Sequence, residues 1–178
     1  MIIGITGKSG VGKNHFAEQL KKINPALVHI DVDKIGHEAM VKPEILDQII
    51  AAFGDSFIED GKINRPMLGD LIFNNREKYK ELSKIVWDEM EKAIDGIIAK
   101  FSDNMIEPCD FILNWILLPK SKYWDMCDIK YLITRDEINR VESVLKRDNI
   151  SHEYLIKRDM NGIDYDENDF DWVVNNNG

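Results

Sequence analysis

Apolar positions along the chain recur with two different periods. Residues 2–6, "IIGIT", form a short apolar run bounded by a glycine-rich turn, the pattern of a buried strand. In "NHFAEQLKK", residues 14–22, Phe16 and Leu20 share one helical face, which predicts a helix starting near Lys13. "ALVHIDVD", residues 26–33, reads as a second strand with carboxylates at its C-terminal end. "PEILDQIIAAFG" reads as a helix, with Pro43 in its first turn and Gly54 at its stop. A short helix is expected over 65–73. A long one is expected over about 75–101, where Tyr79, Leu82, Ile85, Val86, Met90, Ile94 and Ile98 keep helical spacing. "DFILNWILL" and "DIKYLIT" read as apolar strands and "DWVVNN" as a last one. Between them lie two charged, weakly amphipathic helices, over 136–148 and 151–160. Nearly all-apolar strands alternating with helices predict a parallel sheet covered on both faces.

Composition narrows this picture. With 178 residues, 44% of them hydrophobic, the chain suits one soluble domain with a sizeable core. It has no apolar run near the ~20 residues that span a bilayer. The start "MIIGITGKSG" has no basic region and no cleavage-like site, so a cytoplasmic protein without membrane association is expected. The two cysteines, Cys109 and Cys127, read as buried reduced thiols. A net charge of −9 disfavours binding to a nucleic-acid polymer. It does not exclude a small anionic ligand, because a nest of N–H groups with a few cations overrides a global field locally. The acidic stretch 164–171 reads as a solvated connection, and His29, His37 and His152 are too scattered for a metal site.

The candidate chemistry lies in "GKSGVGKN", residues 7–14. Gly7, Gly10 and Gly12 permit positive-φ turns, and the segment sits between a predicted strand and a predicted helix. Amides of Gly7, Lys8, Ser9, Gly10, Val11, Gly12, Lys13 and Asn14 are expected to converge on nucleotide phosphates, helped by the helix N-terminus. Lys13 would neutralise charge shifting between the β- and γ-phosphates. The usual pattern then has Ser or Thr, whose hydroxyl ligates magnesium; here Asn14 follows. Its amide oxygen is a hard donor suited to Mg²⁺ directly or through water. The alternative is that Asn14 caps the helix and holds no metal.

Further blocks carry a resemblance. "HIDVDKIGHEA" resembles the D-x-D-x-I-x-H segment of dephospho-CoA kinases. "AFGDSFIEDGKINRPMLGDLIF" is similar to their middle block at Phe53, Gly54, Asp60, Gly61, Arg65, Leu68 and Phe73. "LKRDNIS" resembles the lid at Arg147 and Asp148, and "DWVVNNNG" the segment near the adenine, at Asn176 and Gly178. The resemblance implies a three-layer α/β P-loop kinase fold of the nucleoside-monophosphate-kinase type, with a five-stranded parallel sheet. It also implies a core of residues 1–34, 105–135 and 165–178, a helical acceptor-side insertion over about 35–104 and a lid over about 136–164. ATP would be the phosphoryl donor, with Mg²⁺, and small nucleotides the only partners; the oligomeric state is left open. Asp33 would be the general base, with Asp31, Arg65 and Trp87 on the acceptor side and Arg147 neutralising the transferring phosphate.

The sequence also departs from the family pattern. Trp87-Asp88 replaces His-Pro in the long helix, Asn64 replaces an Asp, and Lys120 replaces a Glu. Asn114 replaces an Asp on the third strand, so Asn14 and Asn114 both put neutral amides on the magnesium side, with contact through water expected. Two alternatives to a dephospho-CoA kinase therefore stand: a phage-type deoxynucleoside monophosphate kinase, and a catalytically weakened nucleotide-binding protein.

Overall fold

The computed structural model describes residues 1–103, 109–160 and 162–177. Five parallel strands form the main sheet: β1 (Ile2–Thr6), β2 (Val28–Asp31), β5 (Phe111–Asn114), β6 (Ile129–Thr134) and β7 (Trp172–Asn175), in the order β2-β5-β1-β6-β7. Seven α-helices flank it among the described residues: α1 (Lys13–Ile23), α2 (Val32–Ala39), α3 (Pro43–Phe53), α4 (Arg65–Phe73), α5 (Arg76–Asp103), α6 (Glu137–Asp148) and α7 (His152–Met160). This is the α/β architecture the sequence predicts.

Period two explains the two-sided burial. Phe111 and Leu113 of β5 pack into one core with residues of α2 to α5, while Ile112 faces the other core with Ile3, Ile5, Ile133 and Ala17 of α1. Burying an Ile or Leu fully stabilises by roughly 1.5–3 kcal/mol relative to leaving it exposed. Ile5, Ile112, Leu113 and Ile133 are all at most 1% exposed. The strands that carry the site are therefore firmly held in the core. Because β1 has β5 on one side and β6 on the other, chain crossovers diverge at its C-terminal end and leave a crevice there. The loop after β1 opens into that crevice.

Three local expectations need correction. The second strand stops at Asp31, and Val32 already begins α2. Asp31 Oδ1 accepts from the backbone N–H of Lys34 at 3.1 Å, an N-cap worth about 1 kcal/mol that turns the chain into a helix. Asp33 thus lies in a first helical turn, not on a strand end. The strand expected through Leu118 ends at Asn114, and a 3₁₀ turn over Leu118–Lys120 replaces its tail. The sequence reading also passed over a hairpin of β3 (Ile58–Glu59) and β4 (Lys62–Ile63), closed by Asp60 and Gly61, both at positive φ.

Candidate active site

The loop between β1 and α1 builds one wall of the site. Gly12 is the N-cap of α1 at φ 93°, with no side-chain cap bond. Asn14 therefore lies inside the helix and does not cap it, against the capping alternative. A Cβ at Gly12 would lie 2.1 Å from Asn176 Nδ2, so a side chain there collides with β7's end rather than with the space for a phosphate. Gly7 is more constrained still: at φ 141° its Cβ would meet the Ile133 carbonyl oxygen at 2.3 Å. That oxygen is backbone of a buried strand and cannot swing away. Gly7→Ala is expected to separate the loop from β6 and weaken ATP binding by about tenfold or more, a combined cost of ~1.4 kcal/mol or above from strain and clash. Titration calorimetry with ATP checks this; wild-type affinity would contradict it.

Lys13 is only 8% exposed, and its ammonium donates to the carbonyls of Gly7 at 3.0 Å and Lys8 at 3.3 Å. Burial lowers its pKa, the Asp33 carboxylate opposes that, and the nearby Arg147 adds to the lowering. Burial likewise raises the Asp33 carboxyl above the ordinary aspartate range, with Lys13 pulling it back. The two groups line one cavity of about 1030 Å³. A cation and a carboxylate, each poorly solvated and each sensing the other in one cavity, mark a candidate catalytic site.

Lys8, Ser9, Gly10, Gly12, Asn14, Asp31, Arg65, Trp87 and Arg147 also border this cavity. Gly7 and Val11 do not: the Val11 side chain packs into the α1-side core. Asn176 does not border it either; its Nδ2 donates to the Val11 carbonyl at 2.8 Å and braces the loop from behind. Gly178 lies outside the described residues.

The two substituted amides meet. Asn14 Nδ2 donates to Asp31 Oδ2 at 2.9 Å, and Asn14 Oδ1 accepts from Asn114 Nδ2. Asn114 is 1% exposed, sits level with Asp31 in the strand register, and lies 3.3 Å from His29 Nε2. Its Oδ1 has no partner among the described residues. Oxygen donors on Asn14, Asp31, Asp33 and Asn114 suit a hard cation. The described residues hold no group of three His, Cys, Asp or Glu that would cage one. Such a donor set fits Mg²⁺ carried by phosphates and water rather than by the protein alone.

On the acceptor side, Trp87 packs at a tilt against Trp115 with ring centroids 4.6 Å apart and donates from Nε1 to Glu91 at 2.9 Å. Trp87 is thus at once core and cavity wall. His37 shares the wall, its pKa lowered by burial and by the charge of Arg65. Tyr165 donates to the Ile116 carbonyl at 2.8 Å, and burial pushes its phenol up to about 12, so it stays neutral.

Sequence reasoning named Arg147 on the lid but missed Arg140 and Arg158, which close the lid onto the loop with it. Arg140 is 2% exposed and donates to the Ser9 carbonyl at 3.0 Å, to both Glu137 oxygens, and to Asp159 at 2.6 Å. Arg147 and Arg158 both donate to Ser9 Oγ, at 3.1 and 3.2 Å. The spacing of Arg140, Val144 and Arg147 on α6 was the available signal, since it places all three on one helical stripe.

Comparison with known proteins finds relatives along the whole chain. The family model described as Dephospho-CoA kinase matches residues 1–178. A dephospho-CoA kinase of Oceanobacillus iheyensis is 31% identical over 160 residues, covering 89% of this chain and 78% of that one. One from Bacillus cereus is 27% identical over 182 residues, covering 100% of this chain and 89% of its own length. Among solved structures, one from Thermus thermophilus has a TM-score of 0.74 at 23% identity, covering 100% of this chain and 89% of that one. Dephospho-CoA kinase from Campylobacter jejuni gives 0.61 at 22%, covering 99% and 88%. These structural likenesses bear on the fold; the whole-length family match bears on identity, and by it the chain belongs to the dephospho-CoA kinase family of ATP-dependent phosphotransferases.

Proposed function

We propose that the protein transfers the γ-phosphoryl group of ATP to the ribose 3′-hydroxyl of dephospho-CoA, releasing ADP. The observation that carries this reading is one cavity bordered by Lys13 of the phosphate loop and by the buried carboxylate of Asp33, in a chain whose full length matches the family. Loop amides and the α1 N-terminus hold the triphosphate, and Lys13 neutralises charge as it moves to the leaving oxygen. Asp33 accepts the hydroxyl proton while the acceptor oxygen bonds phosphorus and the β,γ-bridging bond breaks. Arg147 meets the transferring group, and Arg65, Trp87 and Asp31 orient the acceptor.

Mg²⁺, when bound, supplies charge neutralisation at the phosphates. Asn14 and Asp31 would hold it through water, with Asn114 fixing the orientation of Asn14. No helix among the described residues is long and apolar enough to cross a membrane, and the cytoplasm is the compartment we expect.

The acceptor is tested with a panel of dephospho-CoA, AMP, deoxynucleoside monophosphates and nucleosides, each with ATP and magnesium, read by product mass. Turnover of dephospho-CoA at rates well above the others is expected. Turnover of deoxynucleoside monophosphates alone would sink the assignment of acceptor, and ATP binding without turnover of any acceptor would sink the assignment as an enzyme.

A further inference from the structure

Tyr79, Leu82, Val86, Trp87 and Met90 of α5 all border the cavity, so one face of that helix forms its acceptor-side wall. A second row of side chains on the same helix leads away from it. Trp87, Glu91 and Asp95 follow one another at intervals of one turn and share a single ridge. Trp87 begins the ridge at the cavity, and Asp95 ends it half exposed at the surface. Between them Glu91 is 23% exposed, and both of its oxygens are taken. Oε1 accepts from the Trp87 indole Nε1 at 2.9 Å, and Oε2 lies 3.2 Å from the Lys122 ammonium. Lys122 also donates to Asp95 Oδ2 at 2.8 Å, and the hydroxyl of buried Tyr123 donates to Asp95 Oδ1 at 2.7 Å.

The chain after β5 clamps this ridge twice. Trp115, at its start, packs against the Trp87 ring, and Lys122 and Tyr123, further on, hold Glu91 and Asp95. A side chain on a cavity wall ordinarily loses rotamer freedom when a ligand arrives. The Trp87 ring is tied by Trp115 and through its N–H before any ligand binds, which removes that cost. The bond to Glu91 is the directional contact of the two. A hydrogen bond to a charged acceptor is roughly twice as strong as a neutral one, and Lys122 on the second oxygen keeps the carboxylate from swinging away. Glu91 is not part of the cavity wall, so the indole N–H is satisfied outside the cavity and the ring meets a ligand as an apolar surface. Trp87-Asp88 stands where the family pattern has His-Pro, so this ring is a departure of this chain.

We propose that Glu91 is a positioning residue for the acceptor: it fixes the Trp87 indole as the platform on which the adenine of dephospho-CoA stacks, and so sets the affinity for that substrate. The proposal rests on the kinase reading above. Glu91 touches neither substrate and acts through the ring. Stacked rings gain from one held offset, so an indole released to other rotamers grips the base less tightly. Lys13, Asp33 and Arg147 do not depend on Glu91, and the transfer step itself is left as it was.

The test compares wild type, Glu91→Ala, Glu91→Gln, Trp87→Phe and the double variant Glu91→Ala with Trp87→Phe, each as the full chain. Two measurements are made: kcat and KM for dephospho-CoA and for ATP, and the fall in tryptophan emission on adding dephospho-CoA. Glu91→Ala is expected to raise the KM for dephospho-CoA about tenfold, the scale of one charge-assisted hydrogen bond, with kcat and the KM for ATP within about twofold of wild type. Glu91→Gln keeps an oxygen for the indole N–H and should recover most of the affinity. The fall in emission at saturating dephospho-CoA should vanish in Trp87→Phe and shrink in Glu91→Ala. Added to Trp87→Phe, Glu91→Ala should change the KM by less than about twofold, because the two residues act as a unit. A dephospho-CoA KM within about twofold of wild type in Glu91→Ala overturns the proposal. So does a tenfold rise that persists in the Trp87→Phe background, since that marks Glu91 as a brace between α5 and the chain after β5. A loss that falls on kcat instead overturns it as well. If Glu91→Ala does not fold, Glu91→Met, which suits a helix and keeps the side-chain length, is read against the same limits. Wild-type turnover of dephospho-CoA tests the kinase reading by itself, and the emission change tests Glu91 without turnover.

Discussion

Lys13→Ala is expected to lower kcat by about 10²-fold or more while leaving the fold intact. The size follows from where the ammonium sits. It is 8% exposed and rests on the carbonyls of Gly7 and Lys8, partners that a triphosphate outcompetes with full negative charge. In that sheltered position a unit charge interacts far more strongly than in water. The loop amides remain in the variant, so ATP still binds, and the loss falls on the step in which charge moves. Stability is set by opposing contributions. Burial disfavours the ammonium, as its lowered pKa records, whereas its two hydrogen bonds favour it. The melting temperature should therefore move by only a few degrees, about 1 kcal/mol in a domain of this size. Steady-state kinetics with a thermal melt reads both. If kcat and melting temperature collapse together, Lys13 is a structural pin of the loop and not an agent of transfer.

Asp33→Asn is expected to leave ATP affinity within a few-fold of wild type and to slow turnover by about 10²- to 10⁴-fold, the range of general-base catalysis. The pH profile gives the sign. Burial raises the Asp33 pKa, so the carboxyl is neutral at low pH and ionises above the ordinary aspartate range of ~4. A base acts only when ionised. Wild-type kcat/KM should therefore rise with pH through an acid limb lying above that range, and the limb should vanish in Asp33→Asn. Unchanged turnover in the variant, or an acid limb that survives, would remove Asp33 as the base.

The parts legible in the sequence are those whose chemistry is local. The phosphate loop needs glycines, a lysine and a strand-loop-helix context, all within about a dozen consecutive residues. The carboxylates near residue 33 were visible as residue types but assigned to the wrong element. Asp31 caps a helix of only eight residues that follows directly on an apolar strand, so the end of that strand hid its start. The hairpin at Ile58–Ile63 was legible from its Asp-Gly pair, but strands of two residues each leave no alternation to read.

The rest depends on tertiary placement. Asn14 and Asn114 are 100 residues apart, and only the register Asp31↔Asn114 brings the second amide onto the first. Asn176 resembles an adenine-side residue in sequence, yet bonds the Val11 carbonyl behind the loop. Arg140 and Arg158 belong to charged helices, where an arginine reads as a solvated face. The burial of Arg140 and the convergence of both on Ser9 arise from the docking of α6 and α7 on the loop, at which only the helical stripe of Arg140, Val144 and Arg147 hints.

The central claim is that the loop holds the triphosphate facing Asp33 across one cavity. A crystal structure with a non-hydrolysable ATP analogue and dephospho-CoA tests it most directly. The account predicts the terminal phosphate within hydrogen-bond reach of Lys13 and the acceptor's 3′-hydroxyl within reach of the Asp33 carboxylate. Finding that hydroxyl on another residue's oxygen, with Asp33 facing away from it, would contradict the account.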